Sequence, residues 1–239
     1  MTQTSDATIA EACGHWRDTA ALIVTGQTPT DFLQGYLTSN TEMLTPGRAQ
    51  PTALCNLKGR VLANGWALGL ETGVALIVHR SLFDKTRQFL SPYARFGRCA
   101  LGETARQVLV NTDNADIELL PHLRIELVET ANPELADVSS ILSTHLVTES
   151  LALLSAPVSE EFLPQMLGLD RCGAVDFNKG CYLGQEIVAR AQFRGEVKRQ
   201  LALFQWQDQP PAIGSTDAAK NTVISIGANG QGLWVSRVS

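Results

Sequence analysis

The sequence lacks an excess of positive charge, since 19 lysines and arginines face 24 aspartates and glutamates and the net charge is −5. A protein that binds polyanions through its overall field is therefore not expected, and no DNA partner is predicted. No apolar run reaches the roughly 18 residues of a membrane helix, so no membrane partner is predicted. The first 16 residues contain Asp6, Glu11 and no apolar core. They match neither a secretory signal nor a basic transit peptide, which favours a cytoplasmic location.

Closely spaced cysteines are also missing. The five cysteines are far apart and none forms a CxxC pair: Cys13, Cys55, Cys99, Cys172 and Cys181. The four histidines are equally scattered. This pattern is typical of reduced thiols in a cytosolic protein rather than of a disulfide framework, and it predicts no metal site.

The 239 residues suffice for one large or two small domains. Apolar runs predict strands over residues 20–25, 52–55, 61–70, 74–78, 106–111 and 123–128. Helices are expected to begin after Thr28, after Ser81 and near Pro133, the last ending at about Leu146. This order of elements is that of split βαβ, ferredoxin-like units, so the predicted fold class is α+β.

The end of the chain has a different pattern. Alternating residues over 201–206 and short apolar runs over 223–226 and 233–238 predict three strands, the last two joined by a hairpin turn at Asn229-Gly230. We expect a small C-terminal β module that forms an incomplete barrel. The predicted domains are residues 1–200 and 201–239.

The segment KGCYLGQE at 179–186 carries the strongest chemical signal. Cys181 lies close to Lys179 and shortly before a predicted helix that begins with Gln185 and Glu186. The lysine ammonium and the positive N-terminal end of the helix dipole would both favour the thiolate form of the cysteine. One interpretation is a reactive or ligand-contacting Cys181 with Lys179 as its electrostatic partner. The other is a packed thiol in a glycine-rich turn, with Lys179 solvated.

Basic residues follow this segment. Residues 178–199 contain five basic and two acidic side chains, and the later basic ones are Arg190, Arg194, Lys198 and Arg199. Such a stripe suits an anionic ligand such as a polyglutamate tail, a phosphate or an RNA backbone. A solvated strand edge explains it equally well.

The segment resembles the signature of the YgfZ family, which is related to the glycine cleavage system T protein, an aminomethyltransferase. The matching signature residues are Lys179, Gly180, Cys181, Tyr182, Gly184, Gln185 and Glu186. Supporting matches lie at residues 25–26, 32–38, 58–60 and 162–165, and downstream at 189–190, 194–195 and 198–199. The resemblance extends to about Trp206, with a tail shorter than usual in the family.

The resemblance implies a folate-binding, aminomethyltransferase-like fold with a central cavity, and tetrahydrofolate or a derivative as the cofactor. It also implies a role in making or repairing iron–sulfur clusters, including that of a tRNA-modifying enzyme, with iron–sulfur client or assembly proteins as partners. By this analogy the Cys181 loop lines the cavity entrance. The folate and anion candidates are then Asn64, Arg190, Arg194 and Lys198.

Two departures from the T protein bear on activity. Its carboxylate pair is replaced here by Ala63-Asn64, and an amide cannot exchange a proton as a carboxylate does. Residues 151–157 lack the polar residue and the glycine usual in the family, near the expected pterin pocket.

The predicted function is therefore a folate-binding accessory protein of iron–sulfur cluster assembly or repair, and whether it turns over a substrate stays open. The alternatives are a folate-dependent one-carbon transferase and an RNA-associated module, the latter disfavoured by the acidic total charge.

Overall fold

The computed structural model describes residues 9–130 and 132–238. The strands are β1 Gly14–His15, β2 Thr19–Gly26, β3 Ala49–Cys55, β4 Val61–Leu70, β5 Gly73–His79, β6 Cys99–Leu101, β7 Gln107–Val110, β8 Ile117–Leu120, β9 Leu123–Val128, β10 Arg199–Gln205, β11 Thr222–Ile226 and β12 Gln231–Arg237. The helices used below are α1 Pro29–Gln34, α2 Phe83–Ala94, α3 Ser139–Thr148 and α4 Gln185–Phe193. No helix of the described residues is long and apolar enough to cross a membrane.

A five-stranded antiparallel sheet of order β3-β4-β5-β2-β6 forms the centre of the molecule. Strands β4 and β5 are apolar at nearly every position because both faces of this sheet are covered. Leu76 belongs to the core beneath helices α1 and α2, whereas its neighbour Ile77 belongs to the core on the other face. The alternation along each strand therefore fills two cores at once.

The second core lies between the central sheet and a four-stranded sheet of order β1-β7-β9-β8. Trp16 of the β1–β2 turn and Trp66 of β4 meet there with ring centroids 5.9 Å apart. Both indoles are almost fully buried, so this pair ties the two sheets together.

A third, three-stranded sheet of order β10-β12-β11 is open rather than closed into a barrel. The hairpin predicted at Asn229-Gly230 joins β11 and β12 and is confirmed. Its turn is attached to α3, since the Ala228 amide donates to Thr144 Oγ1 at 2.8 Å. The division of the chain into domains at residue 200 stays a prediction.

The predicted α+β class is confirmed, and each predicted strand occurs with bounds that differ by at most three residues from those expected. Two helix starts were wrong. Ser81 does not cap the second helix, because its hydroxyl contacts His79 and the Ala156 amide, and Leu82 holds the cap position. The third helix begins at Ser139 rather than near Pro133. Strands β1, β6 and β8 were not predicted, because each is short and lacks a clear alternation.

Gly65 lies in β4 and pairs with Val78 of β5. Its φ is +153°, and a Cβ built there would lie 2.0 Å from the Ile77 carbonyl oxygen. Only glycine fits at this position, because the neighbouring backbone leaves no room for a Cβ and because the positive φ is unfavourable for other residues.

We expect Gly65→Ala to lower the free energy of unfolding by about 3 kcal/mol, because backbone must move to admit the methyl group. Gly35→Ala is the matched control, since the nearest atom to a Cβ there is 3.7 Å away. Urea unfolding monitored by circular dichroism measures both. Equal stability of the two variants would contradict this reading of Gly65.

Candidate functional site

A cavity of about 210 Å³ lies between the edge of the central sheet and the loops that follow α3. Its walls come from β3, β4, the end of β8, residues 150–152 and residues 167–174. The lining is mainly apolar, with Trp66 and Leu151 among the larger side chains, and none of the described residues in it is acidic or basic. The lining residues with side-chain oxygen or nitrogen atoms are Thr52, Asn64, Trp66 and Ser150.

Asn64 is the one sequence-predicted site residue in this lining. Its Nδ2 donates to the Ala152 carbonyl at 2.6 Å, and its Oδ1 accepts from the Leu154 amide at 2.9 Å. The side chain therefore clamps residues 152–154 over the cavity. One N–H and one lone pair of the amide remain for a ligand.

The cavity fits the ring system of a folate rather than the whole molecule. Pockets for drug-sized ligands measure about 300–1,000 Å³, which exceeds the space here. A fused ring could pack against Trp66 and bond the free positions of Asn64, while the benzoyl-glutamate tail would have to extend outside. The apolar segment 151–157, which departs from the family pattern, supplies Leu151 and Ala152 to the wall but no polar side chain.

Lys179 is buried and holds the signature segment against the loop after α1. Its ammonium donates to three backbone carbonyls, those of Gln34, Leu37 and Ser39, at 2.7–2.8 Å. Because burial disfavours the charged form, the pKa of Lys179 is lowered to about 8, although the carboxylates of Asp176 and Glu42 act in the opposite direction.

All three ammonium hydrogens are thus committed to carbonyls. The solvated Lys179 of the packing interpretation is wrong, since the side chain is 7% exposed. Its role as an electrostatic partner of Cys181 stays a prediction.

The other residues of the signature make further contacts that hold this loop in place. The Leu183 amide donates to the Gly35 carbonyl at 3.0 Å, and Tyr182 is buried with its ring 5.3 Å from the Lys179 ammonium. Gly184 caps α4 with φ +83°, and a Cβ there would lie 2.3 Å from the Asn56 carbonyl oxygen. Gln185 Oε1 accepts from the Tyr182 amide at 3.3 Å. Gly180, by contrast, has open space around it.

Cys181 is exposed on this loop. Burial raises the pKa of the Cys55 thiol to about 12 and also raises the pKa values of Cys99 and Cys172. Those three thiols are therefore poor nucleophiles at neutral pH. Cys181 and Cys13 are the two exposed thiols, and Cys181 alone belongs to the signature.

The basic candidates do not lie at the cavity. Arg190 and Arg194 line a separate surface groove on α4, and Lys198 is exposed in the link to β10. Glu186 lines that groove as well, but it forms no ion pair with Arg190.

Of residues 175–238, which the structure describes, none belongs to the cavity lining. The expectation that the Cys181 loop lines the cavity entrance, with the basic stripe beside it, was therefore wrong for this cavity.

Sequence reasoning missed two features of the site. Cys172 lines the cavity although it was read only as a scattered thiol. The carbonyl cage around Lys179 has no signal in side-chain identity, because its three acceptors are backbone atoms. Among the described residues, no three histidine, cysteine, aspartate or glutamate side chains are grouped to hold a metal.

The fold and sequence both have known counterparts. The glycine cleavage system aminomethyltransferase T of Bartonella henselae superposes with a TM-score of 0.69 at 16% identity, covering 98% of this chain and 80% of that one. The aminomethyltransferase-like fold is thereby confirmed. No family model matches the chain.

Several proteins share more sequence identity with this chain than that aminomethyltransferase does. An uncharacterized protein of Haemophilus influenzae is 32% identical over 216 residues, covering 80% of this chain and 73% of its own. The tRNA-modifying protein YgfZ of Klebsiella pneumoniae (strain 342) is 27% identical over 252 residues, covering 89% of this chain and 76% of its own. The YgfZ of Enterobacter sp. (strain 638) is 26% identical over 251 residues, with the same coverage. The chain belongs to the YgfZ family. Its signature loop is accordingly the YgfZ loop, held by Lys179 and presenting Cys181.

We expect Lys179→Met to lower the free energy of unfolding by about 3 kcal/mol, because the carbonyls of Gln34, Leu37 and Ser39 would lose a buried cation and stay unpaired. Lys58→Met is the matched control, since Lys58 is exposed. Chemical unfolding and hydrogen exchange of the Leu183 amide are the measurements. An unchanged exchange rate at Leu183 would show that Lys179 does not hold the loop.

Proposed function

We propose that this YgfZ-family chain is a cytoplasmic, folate-binding accessory protein that supports tRNA modification. In this role it helps to assemble or repair the iron–sulfur clusters of the enzymes that modify tRNA. Two relatives bear the name tRNA-modifying protein, which supports the first part. All five cysteines are free, as is typical of a reducing compartment, which supports the location.

The observation that carries the folate part is the cavity with Asn64 in its wall, within an aminomethyltransferase-like fold. When bound, a tetrahydrofolate would supply nitrogen atoms able to carry a one-carbon group. The residues of this chain bind and orient the ring: Asn64 offers one donor and one acceptor, and Trp66 and Leu151 exclude water from its faces.

An aminomethyl or methyl transferase is the weaker candidate. Such a transfer needs a group that takes and returns a proton next to the folate nitrogen, and an aspartate or glutamate serves this purpose in many sites. Within the part of the chain that the structure describes, no carboxylate lines the cavity, and the amide of Asn64 cannot act in its place. A binding or sensing role for the folate fits these residues better than turnover.

The thiol of Cys181 is the group we assign to cluster chemistry. It is exposed on a loop that the Lys179 cage keeps rigid, so it can reach a client protein without the loop having to order on contact. A single thiolate cannot hold a cluster, which takes several protein ligands. Cys181 would therefore share an iron with the client for the time of transfer or repair.

Isothermal titration with folinate tests the folate part. We expect binding in the micromolar to millimolar range, and we expect Leu151→Trp to abolish it because the indole would fill the cavity. Leu203→Trp is the matched control, since Leu203 lies on β10 away from the cavity lining and is 48% exposed. Flat titrations of the unmodified protein over this range would argue against a folate role.

A bacterial strain that lacks its own copy of the gene tests the thiol. We expect Cys181→Ala to lose complementation, measured as the content of modified tRNA nucleosides that need an iron–sulfur enzyme. Cys13→Ala, which removes the other exposed thiol, should complement fully. Full complementation by Cys181→Ala would show that this exposed thiol is not needed for the role.

A further inference from the structure

Helix α4 presents apolar side chains to solvent beside the YgfZ loop. Phe193 is 69% exposed and Ile187 is 39% exposed. They line a groove of about 810 Å³ together with Arg190 and Arg194, which alternate with them along the helix. Exposed apolar residues at this density, rimmed by charge, mark interaction sites on protein surfaces.

The turn between β3 and β4 extends this surface. Gly59 packs directly on Ile187, since a Cβ on Gly59 would lie 2.8 Å from the Ile187 Cβ. In the same turn the side chain of Leu57 is 76% exposed, and Lys58 is exposed as well. We call Leu57, Lys58, Ile187, Arg190, Phe193 and Arg194 the α4 face.

The cations of the α4 face are not neutralised by the chain itself. The ion pairs found among the described residues join Arg17 to Asp137, Lys85 to Glu160 and Arg106 to Glu129, and none includes a residue of this face. One carboxylate, Glu186, also lines the groove. The face is therefore positive on a chain whose net charge is −5.

The α4 face lies next to the thiol assigned to cluster chemistry. Cys181 precedes Gly184, the cap of α4, by three residues, so their Cα atoms are at most about 11 Å apart. A partner bound on the α4 face is then within reach of Cys181.

We propose that the α4 face docks an acidic segment of a client protein, one in which large apolar side chains alternate with carboxylates. The apolar side chains of the segment would cover Leu57, Ile187 and Phe193, and its carboxylates would pair with the arginines. A single-stranded RNA fits less well, because Leu57 and Ile187 have no aromatic face for a base to stack on. This inference deepens the proposed function, on which it rests for the role of Cys181.

Fluorescence polarisation with labelled synthetic peptides tests the docking. The probe alternates glutamate with leucine and phenylalanine, one comparison peptide has lysine for glutamate, and another has serine for the apolar residues. We expect only the first to bind. Phe193→Ser and the double variant Arg190→Glu/Arg194→Glu should each weaken it about tenfold, as expected when an interface anchor is lost.

Matched variants elsewhere on the surface serve as controls. Phe96→Ser removes a phenylalanine that is 90% exposed, and Arg48→Glu/Arg95→Glu makes the same charge change at exposed arginines outside the face. Both should leave peptide binding within about twofold. Equal losses in these controls would overturn the assignment of the α4 face.

Three further outcomes would overturn the proposal. One is tighter binding of an oligouridine than of the acidic peptide. Another is a dimer in sedimentation that Phe193→Ser dissociates, because the face would then join two copies of this chain. The third is a protein that binds folinate but not the peptide, which would remove the docking and leave the folate role intact.

In cells, a photo-crosslinker at position 193 should attach to acidic segments in mapped client peptides, and one at position 96 should not.

Discussion

A buried ammonium surrounded by backbone carbonyls is the interaction on which the site depends. Lys179 joins two parts of the chain that are about 140 residues apart, and the contact stabilises both of them. The loop after α1 receives a cation for its unpaired carbonyls, and the signature segment receives a fixed position. Because the charge is desolvated, the arrangement is stable only while all three acceptors are in place. The segment thus passes from the buried Lys179 to the exposed Cys181 within three residues.

The molecule keeps its two candidate functions on different surfaces. The cavity behind Asn64 is apolar and uncharged, and it suits the neutral ring of a pterin. The loop with Cys181 and the α4 face is exposed and positive, and it suits a macromolecule with negative charge. Strands β3 and β4 connect them, since Asn64 lies in β4 and the turn between the two strands packs on α4. A ligand that tightens residues 152–154 around Asn64 would act on the same strands.

Much of the fold could be predicted from the sequence because its signals are local. The apolar runs of β2, β4 and β5, the proline at the start of α1 and the Asn229-Gly230 turn are each set by neighbouring residues. The start of α3 could not be predicted in this way. Asp137 accepts from the Ser139 amide, and the Ser139 hydroxyl accepts from the Asp18 amide, so a contact with a distant segment fixes the point at which that helix begins.

By itself, the sequence determined the α+β class, the family and the residues of the signature, since these are properties of pattern and of residue identity. Only the tertiary structure decided that Lys179 is buried, that Cys181 is exposed and that neither borders the cavity. It also decided that Asn64 clamps residues 152–154. For Lys179 and Asn64 the physical reason is the same: their partners are backbone groups distant in the chain, and backbone groups are identical at every position until folding gives each one a place.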